Sequence, residues 1–251
     1  MSSFSDLDEV AENGEYKHGA VSDAKEYIQA KKYGKLFAIT REMIVNDDLN
    51  GMQAVPRLMG RAADRKIGDL VYAILTGNPN LQDGTALFDA ARSNIITSGA
   101  APSVAQLDEM MKLMALQSDI SGNATGQNIG LSTLIVPVAL KVTATILANA
   151  ASDPDQKTTQ KGGGGTSPNP FAGTFNVVAD PRLDAASSTV YYGSANPTLH
   201  DTIEVAFING NQTPLLESRD GWNVDGIEYK VRQEVGAAPL NFRGLVRNAG
   251  A

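Results

Sequence analysis

Residues 51–76, GMQAVPRLMGRAADRKIGDLVYAILT, decide the architecture of this chain. Their apolar positions recur at steps of three and four, which predicts an amphipathic helix. These positions are Val55, Leu58, Met59, Ala62, Ala63, Ile67, Leu70, Val71, Ile74 and Leu75. The opposite face carries Arg57, Arg61, Arg65, Lys66 and Asp69, and we interpret its three arginines as a basic face. At about 1.5 Å of rise per residue, the predicted rod is about 35 Å long, which is long for a domain of this size.

The stretch before this helix is polar. Residues 13–42 are rich in Lys and Tyr and poor in aliphatic residues until Leu36. Alternation at 15–17 and at 35–40 predicts the two strands of a long hairpin. A hairpin without a continuous apolar face needs a partner surface to be ordered, so we interpret this one as an arm that contacts another subunit. The predicted contact residues are Tyr16, Lys17, Lys25, Tyr27, Lys31, Lys32, Tyr33 and Lys35.

The rest of the chain mixes helices and strands without regular alternation. Ser103 is the predicted N-cap of a second helix, with Gln106 at the capping-box position, and Pro137 opens a third helix that ends near Ala150. Residues 151–172 have the composition of a flexible loop. The predicted strands are Leu131–Val136, Thr174–Val178, Thr189–Tyr192, Thr202–Ile208, and a long pair around Ile227–Glu234 and Leu240–Val246. This order indicates an α+β fold rather than a doubly wound one.

Composition excludes several classes of protein. The 251 residues are 42% hydrophobic and 20% charged, which is ordinary for a globular protein. The longest apolar stretch, Leu131–Leu140, is short of the roughly 20 residues that a membrane span needs. The absence of cysteine excludes disulfides, thiolate metal sites and cysteine nucleophiles. A net charge of −7 without a basic run argues against a dedicated nucleic-acid binder.

Motifs of enzymatic chemistry are weak. The chain has two histidines, His18 and His200, and no G-x-S-x-G sequence. In residues 161–166, KGGGGT, the lysine precedes the glycines, whereas a phosphate-binding P-loop places it after them. We therefore predict a protein that is not an enzyme, with no catalytic residue, metal site or cofactor.

Several separated blocks resemble the major capsid proteins of tailed bacteriophages with the Hong Kong 97-type fold, and among these the Mu-like head subunits. The blocks are Phe37–Leu49, Asn169–Gly173, Asp180–Asp184, Asp201–Phe207, and Glu217–Val231 with Asn241–Leu245. Such relatives are often the C-terminal capsid part of a prohead protease–capsid fusion.

The resemblance implies a division of the chain. Residues 1–12 would be the remnant of an N-terminal arm, and 13–42 the extended loop. Residues 43–102 and 226–251 would form the peripheral domain with the spine helix at 51–76. Residues 103–225 would form the axial domain.

The resemblance also implies a function. The chain would assemble through pentamers and hexamers into an icosahedral phage head, in the host cytoplasm, and enclose double-stranded DNA without sequence-specific contacts. Decoration, portal, and scaffold or protease proteins would be further partners, and no membrane would be involved. The type member joins a loop lysine to a neighbour's asparagine; no lysine here aligns with that residue, so we expect non-covalent assembly.

Two other functions stay open at this point. An encapsulin-like container would keep the fold and store a cargo enzyme, and would need a groove for a cargo peptide. A monomeric ligand-binding module would have an acidic cleft and stay monomeric.

Overall fold

The computed structural model describes residues 2–4, 21–23, 25–46, 51–119, 127–155, 168–221 and 225–250, with backbone only for 2–4, 21–23 and 51–53. The strands are β1 Ser2–Phe4, β2 Val21–Asp23, β3 Lys31–Thr40, β4 Ile95–Ile96, β5 Thr133–Val136, β6 Asn176–Ala179, β7 Tyr191–Ser194, β8 Ile203–Phe207, β9 Leu215–Asp220, β10 Gly226–Pro239 and β11 Leu245–Asn248. The α-helices are α1 Arg41–Val45, α2 Gly51–Gly77, α3 Val104–Ala115, α4 Lys141–Asn149 and α5 Pro181–Ala186. A 3₁₀ turn, Val138–Leu140, leads directly into α4.

The chain divides into two compact units. The first unit is Met1–Glu26, Asn78–Thr202 and Pro239–Ala251, and the second unit is Tyr27–Gly77 and Ile203–Ala238. These limits differ from the predicted limits of the extended loop, peripheral domain and axial domain. Those three assignments concern roles in a shell, and they stay predictions.

The first unit is built on a five-stranded mixed sheet in the order β4-β11-β7-β5-β6. Helices α3 and α4 contribute buried side chains to its core. Leu107, Met110 and Met114 of α3 are buried, as are Leu134 of β5 and Leu147 of α4. The apolar side chains that the spacing of α3 and the alternation of β5 place on one side therefore pack together in one core.

Gly193 of β7 sets how closely α3 approaches this sheet. A Cβ atom added at Gly193 would lie 2.6 Å from Leu131 Cδ1, 2.8 Å from Val246 Cγ1 and 3.1 Å from Met110 Cε. Real Cβ atoms do not come this close, so the packing depends on the absence of a side chain. The position is a close-approach glycine rather than a turn glycine.

The second unit is built on β10, which pairs with β3 on one side and with β8 and β9 on the other. The helix predicted over 51–76 is present as α2, and it contacts β8. Between β8 and β9, Asn209 and Gly210 have φ of 55° and 70°. The sequence Asn209-Gly210 is typical of a hairpin turn, but β8 and β9 each pair with β10 and not with each other, so the two residues form a turn that is not a hairpin.

Helix ends agree with the capping signals. The Ser103 hydroxyl accepts a hydrogen bond from the Gln106 amide at 3.2 Å, which confirms the predicted cap of α3. Asp155 adds a second acceptor, 2.5 Å from the Val104 amide. Pro137 precedes the third helical segment as predicted, although the first turn of that segment is 3₁₀.

Of the two predicted strand pairings, one is wrong and the other involves residues outside the described ranges. The predicted pair of long strands around Ile227–Glu234 and Leu240–Val246 is wrong, because β10 and β11 belong to different sheets. The chain turns between them, where Asn241 Oδ1 accepts from the Arg243 amide at 3.1 Å. The predicted hairpin partner of β3 at 15–17 lies outside the described residues, and β3 pairs with β10 along its whole length.

Candidate assembly surfaces

Three strands of the second unit form a ribbon that we define as β3, β9 and residues 226–235 of β10. All ten residues of β3 pair antiparallel with β10, and β9 pairs with 227–232 of β10 on the opposite side. Every residue of β9 is exposed, and Ile39 is the one fully buried residue of β3. Since alternate residues of a strand point to opposite faces, both faces of β9 are open in this chain.

One face of the ribbon carries a ladder of ion pairs. Arg219 Nε lies 2.6 Å from Glu228 Oε2, and Lys230 Nζ contacts Glu217. Further along β10, Lys32 Nζ lies 3.7 Å from Glu234 Oε1. These residues are cross-strand neighbours in the observed register. Opposite charges that face each other across strands stabilise the pairing modestly and fix its register.

The Glu217–Lys230 pair also changes a pKa. The hydrogen bond from Lys230, together with its charge, holds the pKa of the Glu217 carboxyl below its ordinary value. A cleft of about 500 Å³ runs beside this pair, with Leu36 in its wall. Leu36 is opposite Lys230 and is 62% exposed, so an apolar side chain lies beside the ladder.

The other face of the ribbon is apolar. Phe37 of β3 lies opposite Tyr229 of β10, and Leu216 of β9 lies opposite Val231. Tyr229 and Val231 are two residues apart, so the four side chains share one face. Phe37 is 41% and Leu216 is 40% exposed. This apolar cluster is the kind of surface that oligomers bury.

The predicted contact residues of the arm fall into three groups. Tyr16 and Lys17 lie outside the described residues. Lys25, Lys31 and Lys35 are exposed, and Tyr27 is 72% exposed. The remaining two predicted contact residues have partners within the chain.

Lys32 is paired with Glu234, as described above, and Tyr33 is half-buried under Lys66 of α2. The Lys66 Nζ lies 4.9 Å from the Tyr33 ring centroid, a distance typical of a cation–π contact. The structure therefore shows most of the predicted side chains on the surface and assigns two of them to contacts inside the second unit. Their role between subunits stays a prediction.

The predicted basic face of the spine helix is mixed in charge. Arg57, Arg61 and Arg65 are exposed on α2, as expected. Asp64 and Asp69 are exposed on the same helix. Opposite charges three or four residues apart stabilise an exposed helix modestly, whereas Met59, Ala63 and Leu75 on the other side of α2 are buried within the chain.

Two blocks that carry the family resemblance fix the ends of α4. At its start, the Asp184 carboxylate accepts hydrogen bonds from the amides of Val138 at 2.6 Å and Ala139 at 3.1 Å. At its end, Asn169 Nδ2 donates to the carbonyls of Leu147 at 2.7 Å and Ala150 at 3.0 Å.

These bonds satisfy backbone groups that a helix leaves open at its ends. Sequence reasoning missed both roles, because each cap comes from a residue far along the chain. A polar residue within an otherwise apolar motif, such as the asparagine before Pro170, was the available signal.

Two arginines, Arg92 and Arg243, pack against the ring of Phe242, and each also has hydrogen-bond partners within the chain. Arg92 Nη2 donates to both carboxylate oxygens of Asp83 at 2.6 and 2.7 Å, and the guanidinium carbon lies 4.3 Å from the Phe242 ring centroid. Arg243 contacts the same ring at 4.6 Å and donates to the carbonyl of Ser118. Burial lowers the pKa of Arg243. Both guanidiniums are engaged with protein groups beside a cleft of about 420 Å³.

Among the residues that the structure describes, no cluster of three or more His, Asp or Glu side chains could hold a metal ion. Within the same residues, no helix is both long and apolar enough to cross a membrane.

Comparison with known proteins places the chain among viral shell proteins. A family model described as phage capsid protein matches residues 23–248. No curated protein matches the chain. Similar solved structures include "The capsid of Myoviridae Phage XM1", with 11% identity, a TM-score of 0.59, and coverage of 100% of this chain and 85% of that chain.

"Cyanophage Pam1 capsid asymmetric unit" has 12% identity and a TM-score of 0.58, and the match covers 99% of this chain and 83% of that chain. A structure titled "Mycobacterium phage Adephagia" has 15% identity and a TM-score of 0.59, with 100% and 85% coverage. Identity this low establishes the fold alone, which is the expected α+β capsid fold of the Hong Kong 97 type. Since the family model spans nearly all of the sequence, the chain belongs to the phage capsid protein family.

Proposed function

We propose that this chain is the major capsid protein of a tailed phage, and that it assembles non-covalently through pentamers and hexamers into an icosahedral head around double-stranded DNA. Membership of the phage capsid family supports the structural role. The ribbon of the second unit is the observation that carries the proposal of assembly, because every residue of β9 is exposed and Phe37 and Leu216 stay partly exposed on the ribbon's apolar face.

A three-stranded ribbon with exposed leucines on both faces leaves apolar surface in contact with water when the chain is a monomer. Leu215 is 44% exposed on the face that carries the ion pairs, and Leu216 is 40% exposed on the apolar face. Exposed apolar patches of this kind mark interaction surfaces in soluble proteins. A symmetric shell supplies partners for both faces, because each copy meets several neighbours through different surfaces.

Assembly roles follow for the residues predicted from the sequence. We propose that the exposed Lys25, Tyr27, Lys31 and Lys35 belong to the arm that lies on a neighbouring subunit, together with Tyr16 and Lys17. The same proposal includes peripheral and axial domains with the predicted limits. It also includes a place among the Mu-like head subunits. The protein would act as a structural subunit of the virion and would perform no catalysis.

The surroundings proposed for the chain follow from the same role. Assembly would take place in the bacterial host cytoplasm, and decoration, portal, and scaffold or protease proteins would be further partners. Contacts to the enclosed DNA would be independent of its sequence. The net charge of −7 fits this expectation, because a dedicated nucleic-acid binder usually carries an excess of basic residues.

Sedimentation velocity combined with negative-stain electron microscopy tests the proposal. We expect the purified chain to form fivefold or sixfold rings or closed particles as its concentration rises. A chain that sediments as a 26.5 kDa monomer at every salt and protein concentration would contradict self-assembly and favour a ligand-binding module.

A further inference from the structure

Three exposed apolar residues run along the outward side of the helical segment 138–149, among exposed polar ones. Val142 and Ile146 lie one turn apart on α4, and Val138 precedes them by one further turn. Their exposures are 70% for Val142, 48% for Ile146 and 47% for Val138. We define these three residues as the α4 stripe. The buried side of the helix is separate from it and consists of Ala144, Leu147 and Ala148.

Helix propensity does not explain the residues of this stripe. Val and Ile are β-branched, lose side-chain freedom in a helix and are weaker helix formers than Ala, Leu or Lys. An exposed helix position that serves only solubility is better filled by a long polar residue. The stripe therefore weakens the isolated chain slightly at positions where polar residues would fit, which points to a contact outside the chain.

The segment is also held rigidly. Its first amides donate to Asp184 and its last carbonyls accept from Asn169, so both ends are fixed to the first unit. A rigid apolar surface loses little conformational entropy when it is buried by a partner. This makes the α4 stripe better suited to docking than a side chain on a mobile loop.

A phage capsid protein has further copies of itself as partners, and charge favours segment 138–149 as a place where two copies can meet. The first unit contains 10 Lys and Arg against 17 Asp and Glu, so the whole net charge of −7 lies in that unit. Copies of a unit with this net charge repel one another. Segment 138–149 contains no Asp or Glu and one basic residue, Lys141, and Asp184 is turned to the helix amides. It is a place where two like-charged copies can approach closely.

We propose that the α4 stripe docks against a second copy of this chain within a ring of subunits. This inference rests on the proposed assembly of the chain and names one surface used in it. Three side chains cover far less than the roughly 800 Å² per partner of a stable interface. The contact therefore adds to others in a ring and does not form a dimer by itself.

The absence of native cysteine makes a direct test possible. Single variants Val142→Cys and Ile146→Cys introduce one thiol each with little change in size. We expect a maleimide reagent to label both thiols rapidly in the dissociated chain and at least ten times more slowly in assembled rings or particles. Equal labelling rates in the two states would overturn the proposal, as would slow labelling of the dissociated chain.

A matched pair of charged variants gives a second readout. Val142→Asp places a carboxylate on the stripe, and Thr143→Asp places the same group on the neighbouring exposed position of the same helix turn. We expect the first variant to lower the assembled fraction at least tenfold relative to the second, with circular dichroism spectra unchanged. Equal assembly of the two variants would overturn the proposal.

These experiments distinguish a failure of assembly from a failure of the α4 stripe to dock. A wild-type chain that never assembles contradicts the proposed function and the stripe together. A wild-type chain that assembles with freely labelled Val142→Cys and Ile146→Cys variants contradicts the stripe alone.

Discussion

At the scale of single residues, the fold depends on positions where size or hydrogen bonding leaves no freedom. Gly193 is one, because Leu131, Val246 and Met110 crowd the space above it. Asn169 is another, because its amide group donates to two carbonyls and its Oδ1 accepts from the Phe171 amide at 3.0 Å. Neither residue performs chemistry, and both have specific and testable roles.

Gly193→Ala should destabilise the first unit. The added methyl group must displace the side chains above it, and such overpacking costs about 1–3 kcal/mol. Urea unfolding followed by circular dichroism measures the change. Gly60→Ala is the control, because nothing lies within 4 Å of a Cβ added at that position in α2 and alanine favours the helix by up to about 1 kcal/mol. Equal stabilities of the two variants would contradict the packing role.

Asn169→Asp should destabilise the end of α4. The substitution keeps the shape but replaces the donating amide with a carboxylate oxygen that faces the carbonyls of Leu147 and Ala150. Losing these bonds at a buried site costs about 1–3 kcal/mol. Asn149→Asp is the control, since Asn149 is exposed and makes one bond, to the carbonyl of Thr145 at 3.0 Å. Thermal unfolding of both variants would show whether burial makes the difference.

At the scale of elements, the second unit relies on paired charges along the ribbon. The lowered pKa of Glu217 means that its pair with Lys230 stabilises the folded chain above the ordinary carboxyl pKa. This contribution is lost as the pH falls through the lowered pKa of the folded state.

Lys230→Met should therefore raise the pKa of Glu217 towards its ordinary value. Titration of the side-chain carboxyl carbon by NMR reports this pKa directly, and the exposed Lys112→Met variant should leave it unchanged. A Glu217 pKa that is the same in wild type and Lys230→Met would show that the pair does not persist in solution.

Local sequence signals predicted most elements and few of their partners. The spacing of apolar residues placed α2 within one residue of its observed end, and Ser103 marked the start of α3. Pairing depends on contacts between distant residues, so the sequence suggested that 227–234 pairs with 240–246, whereas a turn at Asn241 separates β10 from β11. The strand β9 was missed because LLESRD lacks a clear alternation.

For the candidate surfaces too, the sequence predicted which residues are exposed but not which residues they pair with. Lysines and tyrosines of the arm were expected at the surface, and those described are exposed except for the half-buried Tyr33. The ion pair of Lys32 with Glu234 of β10 could not be predicted, because the register of β3 against a strand about 190 residues later sets it. The apolar cluster at Phe37 and Leu216 depends on the same register.

At the scale of the whole molecule, the question is how copies combine. Leu215 and Leu216 are neighbours on β9, yet they lie on opposite faces of the ribbon. Leu216 belongs to the apolar cluster with Val231, whereas Leu215 lies beside the ion pairs. Contiguous apolar surface contributes more to association than an isolated apolar residue within a charged face.

Leu216→Thr should therefore weaken assembly more than Leu215→Thr. Threonine suits a strand, so both variants should keep the ribbon and differ in the face that they alter. Sedimentation velocity across a concentration series gives the midpoint of assembly for each. A larger effect of Leu215→Thr would show that the face with the ion pairs is the principal contact.

The capping of α4 affects when this helix can become stable during translation. Both caps, Asn169 and Asp184, are synthesised after the helix that they complete. At translation rates of about 5–20 residues per second, Asp184 follows Val138 by roughly 2–9 s. Until Asn169 and then Asp184 have been made, the helix lacks one or both of these caps, and it is too short to be stable alone. The α4 stripe thus becomes a fixed surface only after Asp184 has been made, when strands β7 and β11 of the first unit's sheet are still to be synthesised.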